Sequence, residues 1–355
     1  MELISFSYKT IGWFINKMDA LKLTNLLVGR NAAGKTRIIR AIQNVTSFIC
    51  VKQNFYKSET FSSELCFVEK DDKTKNLVYR FEIKDGHVLY ESLVVNGQTI
   101  ISRDENNALL YGNTINPPEE KLVVQVRRDR YSYPEIETLM EWADGVTLIS
   151  CSDINPLTIH LQPTSFINPV LFSDLVSSMN KDELGFVIGE AKELGYQILE
   201  ISSIEPNSEL KLVSIKEKGL KEEILDLHLS NGMIRVLYLL CYLVYVRKTK
   251  KCSMLLIDDL GEGLDYSRTV RLGKKLFEFC ENEDVQLIAS SNDTMLMDVI
   301  DVSKWQILQR EQGFLCSINQ DNNPKLFNDF RLTGLSNSDL FSSDYIDVFM
   351  KNIKR

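Results

Sequence analysis

Residues 21–28, LKLTNLLV, form an apolar run that stops at Gly29-Arg30-Asn31-Ala32-Ala33-Gly34-Lys35-Thr36, and residues 36–45 then resume an amphipathic pattern. This order predicts a buried strand, a glycine-bounded loop and a helix. Glycines at both ends let the backbone curl so that its N–H groups and the helix N-terminus face one point. Lys35 adds a positive charge there and Thr36 a hydroxyl. The spacing is that of the phosphate-binding pattern G-x-x-x-x-G-K-S/T in the strand-to-helix setting it requires. All eight residues are therefore candidate contacts to the phosphates of ATP, with Thr36 reaching Mg²⁺. A chain carrying such a loop is expected to build an α/β layer around it.

Met254-Leu255-Leu256-Ile257-Asp258-Asp259 is an apolar strand ending in two carboxylates, the form of a Walker B element. Two acids after a strand more often mark a solvated strand end. Beside a phosphate loop they read as a working pair, with Asp258 holding Mg²⁺ through water. Gln125 ends KLVVQV, residues 121–126, which read as a strand; it fits either a metal-reaching glutamine or a surface strand glutamine.

Leu229-Ser230-Asn231-Gly232 precedes a buried helix, 28 positions (258 − 230) before Asp258. In that order it resembles the L-S-x-G signature of ABC-type ATPases. The stretch Asp258-Asp259-Leu260-Gly261-Glu262-Gly263-Leu264-Asp265 is similar to that family's Walker B to D-loop segment. NLLVGRNAAGKT, the strand-rich insertion and GEGLD look most like the RecF, SMC and OLD-like heads of bacterial DNA maintenance and phage defence. The resemblance covers the first 50 residues and about 225 to 310.

The resemblance implies an ATP sandwich between two copies, in which Ser230, Gly232 and the helix N-terminus meet the γ-phosphate held by the partner and Asp265 lies at the seam. It makes Lys35, Asp259 and Asn292 the catalytic candidates. Asp259 stands where the family usually has the glutamate that orients the attacking water, so the resemblance gives it that role and hydrolysis is expected to be slow. Asn292 stands where many members have a histidine; it fits either a neutral donor to the γ-phosphate or a strand-end turn residue. The 195 positions between Lys35 and Ser230 (230 − 35) disfavour a transporter subunit. A non-hydrolysing ATP-binding module is the other alternative. No Toprim-like acidic spacing or coiled-coil heptad follows, so the implied role is an ATP-gated switch on a separately encoded effector, a nuclease or toxin, with RecF-like DNA maintenance beside it.

Between residues 61 and 126 the pattern favours strands, with Asp85-Gly86 and Asn96-Gly97 as hairpin signals. EIETLMEWA and DELGFVIGEAKELG read as helices. The expectation is one two-lobed chain with a mostly parallel sheet and an added antiparallel sheet. Residues 1–133 and 240–320 make the nucleotide lobe, 134–239 a helical signature lobe, and 321–355 a cap or docking tail. Tyr8 and Trp13 fit either an adenine stack or core aromatics. A net charge of -8 argues against general coating of nucleic acid. Arg127, Arg128 and Arg130, near Tyr131 and Tyr133, leave DNA or RNA contact open beside a solvated turn. Seven unpatterned cysteines suggest a reduced, cytoplasmic setting. No signal peptide or membrane span is read, because the longest apolar run, residues 233–246, carries Arg235 and is shorter than the ~20 residues a span needs.

Overall fold

A computed structural model describes residues 1–52, 59–156, 158–160, 167–207, 210–311, 314–342 and 345–346. The chain opens with β1 (Glu2–Thr10), β2 (Trp13–Met18), β3 (Thr24–Val28) and α1 (Lys35–Ile49). A meander follows: β4 (Phe61–Val68), β5 (Asn76–Lys84), β6 (His87–Val95), β7 (Gln98–Arg103), β8 (Ala108–Leu110) and β9 (Asn113–Ile115). Then come α2 (Val123–Val126), α3 (Pro134–Asp144), β10 (Val146–Ser150), α4 (Phe172–Ser177) and α5 (Lys181–Glu193). The strands β11 (Ile198–Asn207), β12 (Leu210–Glu217) and β13 (Ile224–Leu225) lead to α6 (Asn231–Thr249) and β14 (Met254–Asp258). The rest is α7 (Tyr266–Asn282), β15 (Gln286–Ser290), α8 (Thr294–Val299), β16 (Trp305–Glu311), β17 (Phe314–Ile318), α9 (Pro324–Arg331) and α10 (Asn337–Ser342).

Fourteen strands join into one sheet, ordered β10-β14-β15-β3-β16-β17-β2-β1-β4-β5-β6-β7-β8-β9. The first five are mutually parallel. Apart from the β17–β2 pair, every later pairing is antiparallel. The sheet is thus mixed rather than mostly parallel, and the expected added sheet is its hydrogen-bonded continuation. Both expected hairpins form, with left-handed φ at Asp85 and Gly86 and at Asn96 and Gly97. These are the turns whose twist matches the strands. Tyr111-Gly112 makes a third turn of the same backbone form.

Alternate residues of the parallel strands feed two cores, as the pleat requires. Leu255, Ile257, Leu287 and Ala289 face α6 and α7, whereas Met254, Leu256 and Ile288 face α1 and α3. Because α3 packs on that second core and β10 pairs with β14, residues 134–150 lie with the main sheet rather than in a separate signature lobe. A separate three-stranded antiparallel sheet, β11-β12-β13, falls within the stretch expected to be helical. Leu326, Phe327 and Phe330 of α9 join the first core against Trp305 and Ile318. The expected tail beyond residue 346, like residues 343–344, falls outside the described residues.

KLVVQV is not a strand. Residues 123–126 form the short helix α2, whose opening amides, Val123 and Val124, donate to the buried Glu91 carboxylate at 2.6 and 3.2 Å. A carboxylate at the start of a helical turn answers amides that a strand would have given to a neighbour. Among the described residues, no helix is long and apolar enough to cross a membrane.

Candidate functional site

At the end of β3 the chain turns tightly. A Cβ on Gly29 would lie 3.0 Å from Ala33 Cβ and 3.1 Å from the Leu308 carbonyl oxygen, so a side chain there is crowded unless a neighbour gives way. The Ala33 amide donates to the Arg30 carbonyl at 2.9 Å, closing the turn, and Gly34 enters α1 at φ 112. Gly34 brings no side-chain cap, so the first α1 amides are open to an anion. Arg30, Asn31 and Ala32 form the exposed rim. Ala32 holds φ 63, a conformation that costs a residue with a Cβ.

Lys35 is 6% exposed, and its Nζ donates to the Gly29 carbonyl at 2.6 Å. Burial lowers its pKa, while Asp259 and Asp258 raise it. Thr36 Oγ1 donates to Asp258 Oδ1 at 3.2 Å, which brings the end of β14 against the start of α1. The same Oδ1 accepts from Ser290 Oγ at 2.7 Å, and that hydroxyl in turn accepts the Asp259 amide at 2.9 Å. Asp259 turns out of the strand at φ 58. Burial raises its carboxyl pKa, Asp258 and Glu262 push the same way, and Lys35 opposes them. A carboxyl raised in this way is a better proton acceptor than an ordinary aspartate.

Ser230 caps α6, its Oγ accepting the Met233 amide at 3.3 Å. Gly232 abuts the loop after β14; a Cβ on it would lie 3.0 Å from the Gly263 carbonyl oxygen. Asp265 caps α7 through the Arg268 amide and pairs with the Arg268 guanidinium at 2.8 Å. Asn292 is exposed just past β15.

The fold therefore gathers the loop residues 29–36 with Asp258 and Asp259, and, separately, Ser230 and Gly232 with the loop that leads to Asp265. Gln125 does not join them. Its Oε1 accepts the Leu122 amide at 3.1 Å and its Nε2 donates to the Phe48 carbonyl at 2.7 Å. Phe48 is twelve residues along α1 from Thr36 (48 − 36), so Gln125 sits about 18 Å from the Thr36 hydroxyl at 1.5 Å per residue. The turn of α2 fixes it there. Tyr8 stacks near Trp13 and Phe61 in an aromatic cluster of the sheet, the core alternative of the sequence reading. Arg128 and Arg130 are held by Glu137 and Glu141 of α3.

Ser290 was not legible as a site residue. The only trace was a pair of serines ending an apolar strand, and its neighbour Ser291 donates to the Leu260 carbonyl at 2.8 Å.

This arrangement of parallel strands, loop and helix has solved counterparts. One is an Smc head bound to the C-winged helix domain of ScpA, 15% identical, with 92% of this chain and 100% of that one aligned at a TM-score of 0.56. The chain has the SMC-head fold. A second neighbour, the Smc head domain of Pyrococcus furiosus with an extended coiled coil, bound to the C-terminal domain of ScpA, is 14% identical over 93% of this chain and 99% of that one, at a TM-score of 0.54. No protein-family model and no curated protein matches the sequence. Within this fold residues 29–36 and 258–259 meet at the ends of the parallel strands.

The donor set also fits a magnesium nucleotide. Among the described residues there is no cluster of three or more His, Cys, Asp and Glu side chains that would cage a metal by itself. One hydroxyl and one carboxylate 3.2 Å apart, opening beside a phosphate cradle, are what Mg²⁺ uses when phosphates and water complete its shell.

Proposed function

We propose that this chain binds ATP with Mg²⁺ and hydrolyses it at two composite sites in a dimer of itself. The Thr36–Asp258 contact at the mouth of the Gly29–Gly34 cradle supports this most directly. Residues 29–36 hold the phosphates, Lys35 supplies charge to them, and Thr36 with Asp258 holds Mg²⁺. The ion would neutralise charge on the phosphate oxygens. Asp259 orients the attacking water and accepts its proton; its short arm keeps turnover slow. Asn292 offers a neutral hydrogen bond. Ser230, Gly232 and the α6 N-terminus meet the partner's γ-phosphate, with Asp265 at the seam, so ATP adds contacts across the dimer that hydrolysis removes.

The finer reading is a cytoplasmic switch on a separately encoded nuclease or toxin in phage defence. The Smc heads bound to ScpA are precedent for a head of this fold that engages another protein. Ser230→Arg places a bulky cation at the seam and is expected to abolish ATP-dependent dimerisation, read by sedimentation, while leaving ATP binding to the monomer. Dimerisation that survives it refutes the sandwich. Purification from the native host with Mg²⁺ and ATP separates the finer readings: a nuclease or toxin-like protein supports the defence switch, and nucleic acid with the dimer alone supports RecF-like maintenance.

A further inference from the structure

Arg235 lies five positions past the Ser230 cap (235 − 230), on the first turns of α6, and is 8% exposed. Its Nε donates to the Ile154 carbonyl at 3.2 Å and its Nη1 to the Glu262 carbonyl at 2.7 Å. No carboxylate pairs with it among the described residues. Taking a charge out of water is costly, and carbonyl oxygens alone repay little of that cost. A neutral side chain would fill this place without that desolvation cost.

The geometry of Arg235 gives a reason to keep a guanidinium there. The two acceptors belong to different segments, the loop after β10 and the turn that follows β14. Gly263, at φ 73, leaves its Cβ position to Arg235: a Cβ there would lie 2.4 Å from Nη1. Gly232 packs on the same turn, facing the Gly263 carbonyl oxygen and Leu264 Cδ2. The turn is tied at its other end to β15, where the Leu260 amide donates to the Ser290 carbonyl at 2.8 Å and the Asp259 amide to Ser290 Oγ. An unbroken set of contacts thus runs from Ser230 and Gly232 through Arg235 to Asp259.

We propose that Arg235 is a positioning residue that couples the signature end of α6 to Asp259, so that capture of the partner's nucleotide sets the hydrolytic geometry of the chain's own site. This rests on the ATP-sandwich reading above and adds to it that the two sites of the dimer act as one unit. The role requires a fork. A lysine keeps the charge, but its single ammonium cannot serve both carbonyls in the fixed plane of a guanidinium.

The test compares the full-length chain with Arg235→Met, Arg235→Lys, Gly263→Ala and the Arg235→Met/Gly263→Ala double variant. Readouts are direct ATP titration, ATP-dependent dimerisation and steady-state phosphate release. Both Arg235 variants are expected to bind ATP within about twofold of the parent and to lose at least about tenfold in kcat with KM unchanged, the pattern of a group that acts on the reacting geometry. Gly263→Ala crowds the guanidinium terminus without changing any charge and also strains a backbone at φ 73 whatever stands at position 235, so its loss should shrink, though not vanish, in the Arg235→Met background. Turnover restored by lysine, additive losses in the double variant, or ATP affinity falling by the same factor as kcat each overturn the coupling. If Lys35→Ala releases phosphate as fast as the parent, the ATPase reading itself fails. Arg235 is then judged by hydrogen exchange across residues 259–264: protection unchanged in Arg235→Met overturns the strut, and faster exchange upholds it.

Discussion

Replacing Ser290 with alanine deletes one fully buried hydroxyl with two partners. It donates to Asp258 Oδ1 at 2.7 Å and accepts the Asp259 amide at 2.9 Å. A bond to a carboxylate contributes about 1.5–3 kcal/mol and a neutral one about 1 kcal/mol, and the alanine leaves a buried carboxylate and an amide short of a partner. The two together come to ~3 kcal/mol, roughly a hundredfold in the folded-to-unfolded ratio and a large part of a typical domain's ~5–15 kcal/mol. Guanidinium unfolding followed by tryptophan fluorescence suits the measurement, since Trp142 and Trp305 are 4% and 0% exposed. The midpoint should fall with the slope unchanged. Ser290→Ala combined with Asp258→Ala should cost clearly less than the sum of the two, because each removes the same contact. A loss below ~1 kcal/mol, the size of one neutral bond, or strict additivity with Asp258→Ala, would refute the view that Ser290 holds the acid in place.

Two further outcomes follow from backbone strain and from a buried acid. Ala32 at φ 63 carries about 1–2 kcal/mol of strain, whereas glycine raises the entropy of the unfolded chain by about 0.4–1 kcal/mol, so Ala32→Gly should raise stability by up to ~1.6 kcal/mol; a lower melting point would contradict the strain. Burial pushes Glu91 up to about 7 from its ordinary 4.5. A carboxyl raised on folding favours the folded state while protonated, so stability is highest below about 4.5, falls as pH rises through about 7, and is level above. Glu91→Gln should be less stable overall, because one amide N–H must face a backbone N–H, yet its stability between pH 5 and 8 should be flatter than the parent's in denaturant titrations. A parallel pH profile would place the titration elsewhere.

Much of the site could be read along the chain because it is built from local rules. The cradle at residues 29–36 needs glycines at fixed offsets. The DG and NG hairpins need left-handed φ, and α5 begins at Asn180 with a reciprocal cap from Glu183, legible in NKDE. Asp258 and Asp259 end a strand whose apolar run announces it.

Other features depended on partners far away in sequence. Residues 122–126 coil because Glu91, on a strand about thirty positions earlier, supplies a carboxylate to their amides, and that turn carries Gln125 away from Thr36 and Asp258. The strands β11–β13 were hidden inside a stretch read as helical, since short apolar runs do not reveal their pairing partners. Whether a serine or an arginine is structural depends on what lies across the sheet or the next turn. Ser290 meets Asp258 from 32 positions away, and Arg235 meets Glu262 from 27. The sequence alone determined where the glycine-bounded loop and the paired carboxylates fall, because that pattern rests on residue type and near spacing. Only the tertiary structure decided what holds those residues in place, because hydrogen bonds between segments distant in the chain leave no periodic trace in it.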